Sequence, residues 1–355
     1  MEIKPKISLR NLFRPKPENI LRENHLRLDR NERTFLFDEK DFKNILNEIS
    51  NYDLIAYPNL EPLYHAISKY HNINRSSLLL ASGGDNAIKH IFETYLYEGD
   101  SILNANPNYA MYSVYSSMYG VEEIPMSYNT DLKLESNQII NQIKSNTKII
   151  IISNPGHNGI KLNQTCIFDI LNYTKNRGIL ILLDEAYIDF TNGSYINYVN
   201  KFQNLYILRT MSKGFGIASL RVSYIVSSKT NINNLTKVKP AYEISGVSAK
   251  IAQFLIENSS IKDKYIREIL KNREFLIDFF KKSKISFLPT ETNFIYFKTN
   301  LDSDILKLEF EKNNLYLKSA PKINPFSGFL RLTIGDEDQM KFFTKTLIKI
   351  LKIEK

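Results

Sequence analysis

The side chains best suited to chemistry sit where apolar runs end. In "RTMSKGFGIASLRVSY" (209–224), Lys213 stands between Ser212 and Gly214, just past the run "NLYILRTMS" (204–212). In open α/β sheets, ligands bind at the carboxyl ends of strands. A desolvated lysine amine there can form a Schiff base with a carbonyl compound. Most lysines are solvated surface charges, so Lys213 needs company before it means anything. "LLDEAYIDF" (182–190) supplies some: Asp184 emerges from an all-apolar run, with Tyr187 three residues on. A buried carboxylate requires a cationic partner, and a protonated pyridine nitrogen is one. A metal-binding or capping aspartate is the other reading, weakened by the lack of a His/Cys cluster nearby.

Further groups follow the same placement. "LLLASGGDNAIKHIFETYL" (78–96) sets Ser82, Gly83, Gly84 and Asp85 ahead of a helical pattern, where free backbone N–H groups can bind phosphate. "NANPNYAMYSVYSSMYG" (104–120) offers Tyr109, an aromatic able to stack on a flat ring or simply to pack. "IISNPGHNGI" (151–160) ends an apolar run at Asn154-Pro155, a routine turn whose amide could also donate to a ring oxygen. Arg331, inside "FLRLTIG", needs an anion: a substrate carboxylate held by two parallel bonds, or an internal salt bridge.

The elements that must carry these groups are legible from periodicity. "KIIIIS" (148–153), "GILILLDEAY" (178–187) and "NLYILRTMS" are β-branched runs without alternation, as expected of strands buried on both faces. Helical patterns separate them, such as 164–178 with Gly178 as its stop, which argues for an α/β unit with a parallel sheet. The last hundred residues differ. A helix is expected over 266–283, paired strands over 285–299, a strand over 328–335 and a terminal helix after it. Those elements suggest a smaller α+β lobe.

Composition narrows the classes. The chain has 355 residues, and 47 Lys and Arg against 38 Asp and Glu give a net charge of +9. Apart from Lys4, Lys6, Arg10, Arg14 and Lys16 near the start, the surplus is scattered, unlike the stripe of a nucleic-acid binder. One cysteine, Cys166, rules out an internal disulfide and a multi-thiolate metal site. No apolar run reaches the roughly 18–20 residues of a membrane span, and the start lacks the apolar core of a signal peptide. The expectation is a cytoplasmic protein with neither nucleic-acid nor membrane partners.

Order and spacing together say more than any one motif. "YPNLEPLYHAISKYHNI", "PNYAMYSVY", "DEAYIDF" and "RTMSKGFGIASLRVSY" resemble the blocks of fold-type I pyridoxal-phosphate (PLP) aminotransferases, and within them the histidinol-phosphate aminotransferase branch. The likeness runs from "LDRNERTF" (28–35) to "LRLTIG" (330–335). It implies an aspartate aminotransferase-like fold: an N-terminal arm with part of the small domain (1–44), a large PLP-binding α/β domain (45–245) and a C-terminal small domain (246–355). It also implies roles. Lys213 would hold the cofactor covalently and shuttle a proton, and Asp184 would pair with the pyridine nitrogen. Asn154 and Tyr187 would bond the ring's 3-oxygen, and Tyr109 would stack on the ring. Gly84, Asp85, Ser212 and Arg221, with Thr210 nearby, would grip the phosphate. Tyr57, in "AYPNLEP", would reach the neighbouring subunit's cofactor in a homodimer, and Arg331 would clamp a substrate carboxylate.

The sequence departs from the family's pattern twice. The loop after Asn154 reads "NPGHNGI", where His157 reads as a loop residue rather than a catalyst. Lys318 stands where histidinol-phosphate enzymes carry a second arginine for the substrate phosphate. The resemblance therefore implies transfer of an amino group from a donor such as glutamate to a small phosphorylated carbonyl compound. A phospho-amino-acid decarboxylase of the threonine-phosphate or serine-phosphate type is the alternative. A non-enzymatic phosphate- or sugar-binding relative would be expected to have lost Lys213 or Asp184, and both are present.

Overall fold

The isoleucine-rich run at Thr147–Ser153 distributes its side chains to two sides. Ile149 and Ile151 pack with Leu180, Leu182 and Leu208, whereas Ile150 and Ile152 pack with Leu103, Ile181 and Ile207. Side chains alternate along a strand, so a run that is apolar at every position must be covered on both faces. The computed structural model describes residues 3–10, 12 and 24–352; Arg14 and Lys16 lie outside them. It contains strands β1 (Leu26–Arg27), β2 (Leu78–Ser82), β3 (Ser101–Asn106), β4 (Glu122–Ser127), β5 (Thr147–Ser153), β6 (Leu180–Asp184), β7 (Leu205–Thr210) and β8 (Val222–Val226). Then follow β9 (Ser286–Phe287), β10 (Phe294–Lys298), β11 (Leu315–Tyr316), β12 (Lys318–Ser319) and β13 (Leu330–Thr333).

Seven strands form one sheet in the order β2-β8-β7-β6-β5-β3-β4. Every pairing is parallel except the two made by β8. This is the mostly parallel α/β sheet that the apolar runs implied. Its consequence for function is positional. Strands β5, β6 and β7 are neighbours, with Ser153 opposite Asp184 and Asp184 opposite Leu208, so their carboxyl ends open along one edge. Each buried Ile or Leu in these strands contributes about 1.5–3 kcal/mol, so that edge is anchored in a fully buried part of the core.

The second lobe is built around an antiparallel sheet, β12-β13-β10-β9. Its aromatic core joins the helices Ser260–Lys282 and Glu337–Leu351 to the sheet. Phe280 meets Phe297 at 5.4 Å between ring centres, and Phe343 meets Phe310 at 5.3 Å. The long helix starts at Ser260, six residues before the expected 266, because Ile261 and Tyr265 already carry its packed stripe. The helix Gln164–Thr174 stops before Gly178, which takes φ +68° in the turn that follows. Strand β1 pairs with β11, and Leu28 accepts a backbone hydrogen bond from Thr333, which stitches the early segment to this lobe. No described helix is long and apolar enough to cross a membrane.

Candidate active site

Asp184 is the last residue of β6, and it is buried. Its hydrogen bonds come from neutral donors: the Tyr112 hydroxyl at 2.9 Å and the Ala186 N–H at 3.0 Å. Burial pushes its carboxyl up to about 6, against the lowering effect of those bonds. A carboxylate so placed favours a cation. Beside it, Asn154 follows β5 and donates its backbone N–H to the Asp184 carbonyl at 2.8 Å. The Asn154 side chain accepts from Leu162 N–H at 2.8 Å through Oδ1, but its buried Nδ2 has no partner among the described residues. Buried donors are rarely left unpaired, so this one points to an oxygen supplied from outside the chain.

Lys213 lies three residues past β7, half-buried, with Nζ donating to the Arg30 carbonyl at 2.9 Å and 5.9 Å from the centre of the Tyr187 ring. Desolvation pushes its amine down to about 8. Arg331 and Arg221 add to the effect, and Glu32 and Asp184 oppose it. Its strand is held from behind by a buried ion triad. Arg209 bonds Glu185 at 3.2 Å and Asp189 at 2.8 Å, linking β7 to the segment after Asp184. Gly214 belongs to this arrangement, since a Cβ there would strike the Asp189 carboxylate.

The helix Gly83–Tyr95 starts without a side-chain cap from Ser82, which leaves its first N–H groups available to an anion. Gly83 takes φ +79°, and a Cβ on it would collide with the Arg221 guanidinium; Gly84 is open, its nearest neighbour being a Leu208 methyl at 3.9 Å. Arg221 approaches Asp85 at 3.6 Å, and the Tyr109 hydroxyl donates to Asp85 at 2.7 Å. Tyr109 in turn meets Tyr112 edge-on at 6.3 Å, which leads back to Asp184. Ser212 N–H donates to the Thr210 hydroxyl at 3.2 Å, fixing the turn between β7 and Lys213.

The opposite wall joins the segments after β5 and β6 to the second lobe. Tyr187 accepts a hydrogen bond from Asn31 Nδ2 at 2.9 Å and packs on Phe294 at 5.3 Å. Asn31 is bonded in turn to Thr333 of β13. Arg331 donates through Nη2 to the Asp29 carbonyl at 2.8 Å and lies 5.4 Å over the Phe294 ring, while its buried Nε has no partner among the described residues. Lys318 pairs directly across from Arg331, so both cations share one face of the small sheet, with Lys318 exposed. His157 stays in its loop, yet its ring runs nearly parallel to Tyr109 and edge-on to Tyr187.

The structure thus brings together Gly84, Asp85, Tyr109, Asn154, Asp184, Tyr187, Thr210, Ser212, Lys213, Arg221 and Arg331, with Lys318 at the rim. Tyr57 stands apart: it is 81% exposed and stacked on Tyr242 at 4.8 Å. Sequence reasoning missed Asn31, Tyr112 and Arg209. Tyr112 was hidden in a tyrosine-rich helix, and Asn31 acts across 156 residues of chain, beyond any periodicity. Its left-handed backbone, φ +54°, is visible only in three dimensions.

The profile of the aminotransferase class I and II family matches residues 23–347. The chain is 30% identical over 330 residues to a histidinol-phosphate aminotransferase of Thermoanaerobacter pseudethanolicus, covering 92% of this chain and 93% of that one. It is 29% identical to the enzyme of the same name from Sulfurisphaera tokodaii, covering 92% and 90%. Among solved structures, histidinol-phosphate aminotransferase from Clostridium acetobutylicum superposes with a TM-score of 0.84 at 22% identity, covering 92% of this chain and 99% of the other. That from Sinorhizobium meliloti, in complex with pyridoxal-5'-phosphate, gives 0.88 at 17%, covering 99% and 98%. A match across almost the whole length, over a fold of the same shape, makes this chain a member of the class I and II aminotransferases.

Proposed function

We propose that this aminotransferase works with pyridoxal phosphate and moves an amino group from an amino acid such as glutamate to a small phosphorylated carbonyl compound. One observation carries the reading. A buried carboxylate bonded only by neutral donors, an unpartnered amide N–H and a half-buried lysine amine lie along the edge where β5, β6 and β7 end. The residues fit the cofactor at each end. The Asn154 amide suits its ring oxygen, Asp184 its protonated nitrogen, and the uncapped helix at Gly83 with Arg221 its phosphate.

When bound, pyridoxal phosphate supplies an electron sink that makes bonds at a substrate α-carbon breakable. The chain's own residues do the rest. Asp184 would keep a proton on the ring nitrogen by charge pairing. Lys213 would hold the aldehyde carbon and, once released by substrate, would take the α-proton and deliver it to the carbon on the far side of the nitrogen. The depressed amine matters here, because at neutral pH more of it is unprotonated than of an ordinary lysine. Arg331 takes the substrate carboxylate, and Lys318 meets a phosphate as a point charge.

The exposed Tyr57 ring, with Tyr52, Leu54 and Ile55 exposed beside it, fits a homodimer face in which Tyr57 serves the neighbour's site. Residues 45–245 would form the cofactor domain, with 1–44 and 246–355 making the arm and small domain. The relatives named above are aminotransferases, which favours transamination over the decarboxylase alternative. A single turnover with glutamate tests it: spectral conversion of the cofactor from aldehyde to amine form is expected, and release of carbon dioxide from a phospho-amino acid instead would refute it. Borohydride reduction followed by digestion should tag the peptide containing Lys213.

A further inference from the structure

Tyr187 and Phe294 stand between two side chains that each keep a buried polar atom unpartnered among the described residues: Arg331 Nε and His157 Nδ1. The His157 ring lies 6.3 Å from Tyr109 at 15°, 6.0 Å from Tyr187 edge-on, and 6.5 Å from Phe294. Arg331 covers that same Phe294 ring at 5.4 Å. Histidine in this loop could serve packing alone. Packing, however, would be met by any flat ring, and it gives no reason to bury a ring nitrogen that bonds nothing.

The surroundings say what the missing partner is. Burial, with the positive charges of Arg331 and Lys213, pushes His157 down to about 3, so its imidazole is neutral and carries one N–H. A neutral donor beside an arginine whose Nε is also unfilled matches an anionic oxygen pair. One carboxylate, with the guanidinium on one oxygen and the imidazole on the other, would fill both.

We propose that His157 is a substrate-binding residue, whose imidazole donates a hydrogen bond to the substrate carboxylate that Arg331 engages. The inference rests on the proposed role of Arg331 toward carboxylates. It gives the altered loop "PGHNG" (155–159) a function in choosing the amino-acid partner.

The test uses purified holoenzyme with maleate as an unreactive dicarboxylate and inorganic phosphate as the contrasting anion, each titrated by calorimetry. His157→Phe keeps a flat ring and removes the donor, and His157→Gln restores a donor. Maleate is expected to bind roughly tenfold to a hundredfold more weakly to His157→Phe, as for a lost bond to a charged group, and to recover much of that in His157→Gln. Phosphate affinity should be unchanged, and the KM for the amino-acid donor should rise with kcat nearly constant. Maleate affinity of His157→Phe within about twofold of wild type would overturn the proposal, as would an equal loss for phosphate. If His157→Phe does not fold, His157→Ala replaces it, and equal weakening in the Ala and Gln variants overturns the proposal. Absence of cofactor absorbance in the wild-type protein would instead refute the proposed function, so the two failures are distinguishable.

Discussion

The wall proposed to face the cofactor and the wall proposed to face the substrate are made differently. On the first, Asp184 ends β6, and Asn154 and Lys213 follow β5 and β7 closely, all rooted in a sheet buried on both faces. The ion triad of Arg209, Glu185 and Asp189 locks two of those strand ends together. On the second, Arg331 and Lys318 project from short antiparallel strands, and His157 comes from a loop. Their electrostatics are opposite as well. The first wall holds a buried anion that favours a cation, and the second gathers cations and a neutral donor that favour an anion. A wall rooted in a buried sheet suits chemistry common to a family, whereas one built from short strands and a loop can vary with the substrate chosen.

The sharpest way to break that contrast is at Lys213. Replacing it with Ala should lower kcat by roughly 10⁴-fold, because the proposed covalent anchor and proton carrier would both be lost. Steady-state rates with glutamate check this. A variant retaining a tenth of wild-type activity would remove Lys213 from the chemistry and leave the first wall with no nucleophile.

The first wall was also the more legible in the sequence. Apolar runs that end in Asp184, Asn154 or the Lys213 loop announce strands and strand ends together, since a fully buried strand has one periodicity and few ways to finish. The second wall depends on long-range pairing. Nothing local in "NLYLKSAPKINPFSGFLRLTIG" (314–335) tells that Lys318 faces Arg331, a register set by strands as short as two residues. His157 is the clearest instance: in sequence it is a turn residue, and only the folded loop lays it along Tyr109 and Tyr187.

Asp184 offers a second test, independent of activity. Its folded-state value of about 6 lies above that of an exposed aspartate, so the cofactor-free fold binds this proton more tightly than the unfolded chain. The stability it contributes is therefore present below pH about 4 and is lost as the pH rises through about 6. The loss amounts to about 3 kcal/mol. Urea unfolding of cofactor-free protein at pH 4.5 and 7.5 should show roughly two-thirds of that decline, since pH 4.5 already lies above the unfolded value, and Asp184→Asn should lack that share. Loading the cofactor should also flatten the profile, because a ring cation then pairs with the carboxylate. Identical pH profiles for wild type and Asp184→Asn would mean that the first wall does not favour a cation.

On the second wall, Arg331→Gln should raise KM for the amino-acid donor by about a hundredfold, the scale of removing one partner of a desolvated charge pair. Little change in kcat is expected, since the guanidinium binds rather than reacts. A fall in kcat with KM unchanged would assign Arg331 to the reaction itself and blur the division between the walls.

Lys318 should give the smallest effect, and its size sharpens the contrast within the second wall. It shares a face with Arg331 but is exposed, so water and salt screen its attraction for a phosphate. Lys318→Gln is expected to raise KM for a phosphorylated acceptor by less than about tenfold, with the difference vanishing in high salt. Lys318→Arg should lower KM below wild type, because a planar fork can take two phosphate oxygens where an ammonium takes one. The measurement is KM at low and high ionic strength for all three proteins. If Lys318→Gln costs as much as Arg331→Gln at either ionic strength, Lys318 must become desolvated when substrate binds. The small sheet would then have to close over the acceptor, making the second wall a moving part.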